Sequence, residues 1–274
     1  MIQQLKRLIS SIKSWVKNMV LKFNGNIIEN VKYNGTEINK LQFNGTTVWE
    51  RQSTPTGTIL LEKDVAGTYT VTVPEAGKYT IQVVGAGGGS AILGWSMAVS
   101  GSTGVHLSQV ASGGSGGYYT VTKSLTKGDT LTVVVGALGT NAPQWSKVNG
   151  TFTLNGTAGG NTTVTSKKSG SLATANGGGG ASIVTIISGN GGSINRKTFT
   201  GGTAGTGATK NGTAGTINYQ QKTGYDTTAT LVATASSYLT YGKGSGGYAY
   251  ANSKACGYNQ NQQGTAGYVK IVKA

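Results

Sequence analysis

Hydrophobic and polar positions follow three different periods along the chain. In residues 1–20 the apolar positions Ile2, Leu5, Ile9, Ile12, Val16 and Met19 are spaced 3, 4, 3, 4, 3, which is the a/d seam of a coiled coil. The pattern predicts an amphipathic helix that needs partner helices. β-branched Ile9 and Ile12 on that seam favour three strands over two, so a homotrimer is expected. Two other readings fit the same residues: a basic helix lying on a membrane surface, with Leu8 and Trp15 widening its apolar face, or a helix packed on its own body.

Residues 21–50 repeat one short unit: Leu21-Lys22-Phe23-Asn24-Gly25, Val31-Lys32-Tyr33-Asn34-Gly35 and Leu41-Gln42-Phe43-Asn44-Gly45. Asn-Gly supplies the two positive-φ residues of a type I′ turn, so each unit predicts a small β-hairpin. Isolated hairpins are marginal in water, which again calls for neighbouring chains and predicts a trimeric shaft or joint. Residues 51–57, containing Pro55 and Gly57, read as a linker.

From residue 58 to 274 the period becomes two. Alternating or β-branched stretches predict strands at Tyr69–Val73, Tyr79–Val84, Tyr118–Val121, Leu131–Val135 and Tyr268–Val272, with no support for helix. Between them glycines recur three apart: Gly85/Gly88, Gly114/Gly117, Gly156/Gly159, Gly177/Gly180, Gly189/Gly192, Gly202/Gly205, Gly212/Gly215, Gly244/Gly247 and Gly264/Gly267. Three residues make one turn of the left-handed polyproline II helix. A glycine at each turn leaves one edge bare, so such helices can bond backbone to backbone and form a body with almost no conventional apolar core. The alternative is a set of ordinary glycine-rich loops in an all-β fold.

Composition narrows the function classes. With 46 Gly but 3 Pro the chain is neither collagen nor a proline-rich tether. Charged residues are 11% of the chain and the formal net charge is +15. After Asp129 the one remaining acid is Asp226, against eleven Lys and Arg. That balance either favours anionic partners or reflects scattered solubilising lysines on a body with few other charges, and no dense basic cluster or nucleic-acid motif points to DNA or RNA. A lone cysteine, Cys256, forms no intrachain disulfide, and no ligand cluster calls for a cofactor. Lys6, Arg7, Lys13 and Lys17 interrupt the N-terminal apolar runs, so no signal peptide or membrane span is expected.

Enzyme chemistry lacks material. Gly113-Gly114-Ser115-Gly116-Gly117 and Gly242-Lys243-Gly244-Ser245-Gly246-Gly247 satisfy nucleophile-elbow and dinucleotide patterns, but neither precedes a helix. The sole histidine is His106, and the body offers only Glu62, Asp64, Glu75, Asp129 and Asp226 as acids. The expectation is a non-enzymatic protein.

The order Thr70 to Val84, Val84-Gly85-Ala86-Gly87-Gly88-Gly89, Gly113-Gly114-Ser115-Gly116-Gly117-Tyr118, Gly128 to Gly136, many short glycine runs and Gly264-Thr265-Ala266-Gly267-Tyr268-Val269-Lys270-Ile271 resembles the glycine-rich domain of bacteriophage tail-fibre and tail-tip adhesins. The Phe/Tyr-Asn-Gly units are similar to short repeats that precede such domains. After the N-terminal coiled-coil helix and the β-hairpin repeats read above, the resemblance implies a β-sandwich-like base and a polyglycine II body, so the expected fold is mainly β. It also implies a virion location, attachment to another virion protein through residues 1–50, and a host-surface glycan or outer-membrane protein as receptor. The long inserts 94–110, 141–148, 217–241 and 248–263 are then the projecting loops. Their candidate receptor contacts are Trp95, His106, Trp145, Tyr219, Tyr225, Tyr238, Tyr241, Tyr250 and Tyr258, because rigid aromatic faces beside adaptable amides suit recognition.

Overall fold

The computed structural model describes residues 22–23, 26–27, 31–33, 36–38, 40–43, 46–50, 53–99, 102–142, 150–188, 193–223, 225–251, 256–259 and 262–274. The predicted N-terminal helix, with Ile2, Leu5, Ile9, Ile12, Val16 and Met19, lies outside them. The chain divides into two units, Met1–Thr54 and Pro55–Ala274.

In the first unit the described residues form three antiparallel hairpins: β1 (Lys22–Phe23) with β2 (Asn26–Ile27), β3 (Val31–Tyr33) with β4 (Thr36–Ile38), and β5 (Lys40–Phe43) with β6 (Thr46–Glu50). The registers Phe23↔Asn26, Tyr33↔Thr36 and Phe43↔Thr46 leave two residues, Asn-Gly each time, between the paired strands.

The second unit is mainly β, with no α-helix among its described residues. Its strands are β7 (Ile59–Lys63), β8 (Gly67–Thr72), β9 (Gly77–Val84), β10 (Ala91–Val99), β11 (Ser102–Ala111) and β12 (Tyr118–Leu125). They continue as β13 (Thr130–Val135), β14 (Gly150–Asn155), β15 (Thr162–Ser166), β16 (Gly170–Ala175), β17 (Ser182–Ser188) and β18 (Ser193–Thr200). The series ends with β19 (Ile217–Thr223), β20 (Thr227–Leu231), β21 (Gly247–Ala251), β22 (Cys256–Asn259) and β23 (Tyr268–Lys273).

At one pole, the base, two four-stranded antiparallel sheets pack together, in the orders β12-β9-β23-β7 and β16-β15-β13-β8. The alternation read from the sequence sets their inner faces. Tyr79, Ile81 and Val83 of β9 meet Leu131 and Val133 of β13, with Val164, Val269 and Ile271 completing a buried core. Asp129 is buried where β13 begins; it accepts from Ser166 Oγ at 2.6 Å and Lys168 N at 3.3 Å, tying the β15–β16 turn to the strand beside it. The unit starts at Pro55, and Gly57 N donates to Lys273 O at 2.8 Å. The second half of the segment expected to be a linker therefore belongs to the base.

At the opposite pole, the tip, three sheets stack: β14-β17-β18, then β10-β11-β19, then β20-β21-β22. The β10–β11 pair of the middle sheet is covered on both faces, while β19 at its edge is largely exposed. Leu93, Trp95 and Leu107 pack with Phe152, Leu154 and Ile183 on one side, and Ile92 and Val110 pack with Ala229 and Ala249 on the other. A body lacking an apolar interior is thus corrected in part, since base and tip each have one.

Between the poles the chain crosses back and forth in glycine-rich runs. Runs 85–90, 136–142, 176–181, 211–216 and 242–246 leave the base for the tip; runs 112–117, 156–161, 201–207 and 262–267 return, as does the glycine-free segment 232–241. Run 85–90 is central. It donates to 112–117 (Gly85 N to Gly117 O, 3.0 Å; Gly88 N to Gly114 O, 2.8 Å), to 156–161 (Ala86 N to Gly160 O, 3.0 Å; Gly89 N to Thr157 O, 2.9 Å) and to 262–267 (Gly87 N to Thr265 O, 3.1 Å). It accepts from 136–142 (Gly139 N to Gly87 O, 2.9 Å), from 176–181 (Gly178 N to Ala86 O, 2.8 Å) and from 242–246 (Ser245 N to Gly88 O, 2.9 Å).

Those six neighbours also close a ring around it, through Gly160 N to Ala137 O, Gly159 N to Gly178 O, Gly114 N to Gly179 O, Gly113 N to Ser245 O, Gly242 N to Ala266 O and Gly267 N to Gly136 O, all at 2.8–3.0 Å. Successive residues bond different neighbours and every third returns to the same one, the period of a three-residue helix. Only a bare edge allows this spacing. A Cβ on Gly113 would lie 2.0 Å from Gly88 O, and one on Gly114 would lie 1.9 Å from Thr203 O.

Candidate recognition tip

The lattice fixes where each candidate residue stands. All described hairpins of the tip emerge from antiparallel runs, so their far ends share the pole opposite the base. Tyr225, between β19 and β20, is 73% exposed there. Tyr219 on β19 is 42% exposed and meets Phe199 of β18 edge to face, ring centroids 6.0 Å apart. Tyr250 of β21 is half-buried and stacks on Tyr248 at 5.9 Å. Tyr258 belongs to β22, but its side chain, like the whole of Trp145, lies outside the described residues.

Trp95 and His106 depart from expectation. The segment 94–110 is no loop: it contributes to the β10–β11 hairpin, with Trp95 opposite Leu107 and Ser96 opposite His106. Both side chains are 2% exposed. Trp95 fills the core between the two sheets, and the His106 ring hydrogen bonds through Nδ1 with Ser96 Oγ at 2.8 Å. A short run mixing Gly, Ser, His and Gln reads as a loop because it lacks one polar face. Here neither face meets water, so polar residues are buried and partnered instead. Gln109 is the exception: Oε1 accepts from Thr185 Oγ1 at 2.9 Å while Nε2, fully buried, has no partner.

Tyr238 and Tyr241 are displaced further. The expected loop 217–241 is instead β19, β20 and the return pass, which carries these two rings to the outer face of the base. There Tyr241 stacks on Tyr268 at 4.1 Å, Tyr238 lies 6.1 Å from Tyr268, and Tyr118 stacks on Tyr238 at 4.3 Å. The Tyr268 hydroxyl donates to Glu62 Oε1, and Lys270 Nζ lies 3.3 Å from Glu62 Oε2. The Tyr268 hydrogen bond, with the Lys270 charge beside it, holds the Glu62 carboxyl below its usual range. Burial, then the bond to the Glu62 carboxylate, pushes the Tyr268 phenol well above its ordinary value.

The residue that sequence reasoning overlooked is Phe199. Its strand, Ser193–Thr200, follows Gly192 and has no strict alternation, so only its position next to β19 in space exposes its role. No cluster of three or more His, Cys, Asp or Glu able to hold a metal is found among the described residues. No helix among them is long and apolar enough to cross a membrane.

A three-layer tip carried on a glycine lattice above a β base defines a glycine-rich, mainly β domain. The family model for a glycine-rich domain matches residues 63–272, and the chain belongs to that family. No curated protein matches it in sequence.

Proposed function

We propose that this chain is a structural virion protein of a phage tail fibre or tail tip, and that the tip of its glycine-rich domain binds a host-cell surface receptor. One observation carries the reading: both ends of the unit lie in the base, where Gly57 N donates to Lys273 O, while its described hairpins collect at the far pole. A domain built this way holds itself at one end and presents turns at the other. The glycine runs serve as a polyglycine II bundle, a stiff spacer rather than a pocket.

The same reading assigns residues 1–20 to a homotrimeric coiled coil and residues 1–50 to attachment on another virion protein. The receptor is a surface glycan or an outer-membrane protein, and no catalytic step is involved. Burial of His106 against Ser96 and the pairing of Glu62 with Lys270 and of Glu75 with Lys273 support that last point. The test is retention of fluorescently labelled full-length protein on intact bacteria from a panel of strains, with subunit count by light scattering. Saturable retention on a subset of strains is expected. A trimer retained by none of them favours a purely structural virion part such as a head fibre or decoration protein.

A further inference from the structure

The two sheets of the base have four edge strands, β12, β7, β16 and β8, and the first three are guarded. β12 meets the turn 207–211, where Tyr118 pairs with Lys210 and Thr120 N donates to Thr209 Oγ1 at 2.9 Å. β16 meets the same turn through Ala175 and Gly207. β7 carries Glu62 and Lys63 and pairs with β23 through a register shift. Blocking turns, charges and bulges are the devices that stop an edge from pairing with another chain. β8 has none of them. Its register with β13 runs unbroken from Gly67 to Thr72, and residues 65–74 contain no charged side chain. Lys63, on β7 of the other sheet, is held over the Tyr69 ring, 5.3 Å from its centroid.

The bonded side of β8 defines its free side. Val73 N donates to Asp129 O at 2.8 Å, so Val73, Val71 and Tyr69 turn their amides and carbonyls towards β13. Thr130, opposite Thr72, gives its carbonyl to Lys167 N on the β15 side at 2.9 Å. Thr68, Thr70 and Thr72 therefore point their backbone groups out of the sheet, and no described residue bonds them. These three threonines are exposed, whereas Tyr69 and Val71 pack on the core.

We propose that β8 pairs antiparallel with β8 of a second copy of this chain, about a two-fold axis through Thr70. In that register Thr70 meets its own counterpart and Thr68 meets Thr72, each pair exchanging both backbone bonds, while Tyr69 meets Val71 on the core side. Threonine pairs and aromatic pairs with β-branched residues are favourable across strands, and no charge falls opposite itself. A patch complementary to its own copy is what a two-fold interface requires. Thr165, Thr132 and Thr70 already form one row across β15, β13 and β8, which the pairing continues into the second copy. This goes beyond the host-binding reading and does not depend on it.

Light scattering on the full-length protein over a concentration series tests the pairing, with Thr70→Lys and Thr70→Glu as variants. Wild-type mass should rise with concentration to twice that of Thr70→Lys, in which like charges face each other across the axis. Both variants should melt with the wild type, because position 70 is exposed. Mixed in equal amounts they should regain the wild-type mass, since opposite charges then meet. If either variant is unstable, Thr70→Pro removes only the outward N–H and should halve the mass in the same way. Wild-type protein with the mass of a stable Thr70→Lys or Thr70→Pro variant at every concentration overturns the proposal. A mixture of stable variants that stays at the mass of either one alone places a different strand on this edge and overturns it too.

Discussion

A Cβ on Gly88 would stand 2.0 Å from the carbonyl oxygen of Gly179, and the Gly88 N–H already donates to Gly114 at 2.8 Å. The same glycine is thus fixed by its missing side chain and by its backbone at once. Gly88→Ala must push two neighbouring runs apart, at a cost of about 3 kcal/mol or more. Gly128→Ala is the matched control: its φ is +75° and nothing lies within 4 Å of the added carbon, so only local backbone strain of about 1 kcal/mol is expected. Urea unfolding of the two variants measures the difference, and equal losses would refute a lattice held by glycine edges.

Glu62 and Tyr268 give stability a dependence on pH at both extremes. The Glu62 carboxyl is held low when folded, so its contribution is present above the unfolded carboxylate value and is lost as pH falls through the lower folded one. Tyr268 is held high when folded, so its contribution is complete below about pH 10, the ordinary phenol value, and declines as pH rises further. Tyr268→Phe should be less stable at neutral pH yet lose less between pH 9 and 11. Melting curves across that range test the sign.

Asp129 is buried and binds Ser166 Oγ and Lys168 N. Asp129→Ala leaves the buried Ser166 hydroxyl without its acceptor, while Lys168 N keeps its bond to Ser166 Oγ at 3.1 Å, and about 1–3 kcal/mol of base stability should go with it. Backbone amide exchange at Lys168 and Ser169 should accelerate before that of β9.

At the tip, burial separates packing from presentation. Trp95→Ala should cost about 3–5 kcal/mol, the usual range for an aromatic removed from a core. Tyr225→Ala, at a ring 73% exposed, should leave the melting temperature unchanged while lowering retention on bacteria. A Tyr225 variant that melts early and binds normally would reverse those roles.

Single-sided strands were legible in the sequence. Tyr79, Ile81 and Val83 alternate with polar residues because β9 has one inner face, and Leu131 and Val133 do the same on β13 up to the exposed Val134. The three-residue spacing of Gly85 and Gly88 also carries over directly to donors three apart on one neighbour. What stayed hidden depends on distant partners. Trp95 and His106 sit in a strand pair covered on both faces, which erases the alternation that marks a strand. Tyr238 and Tyr241 reach the base on a pass containing no glycine, so nothing local distinguishes it from an insert. That runs 85–90 and 112–117 both lie inside the bundle, each bonded to six neighbouring passes, follows only from the assembled lattice.

Each bond of the glycine lattice lies across the runs, whereas a pull between tip and base acts along them. Tension therefore loads these bonds in shear, several at a time, and no single pair can peel open first. The central run is braced from every side, so traction on any one hairpin spreads to the whole cross-section. Such a strut resists stretching far beyond what its weak individual contacts would sustain in sequence.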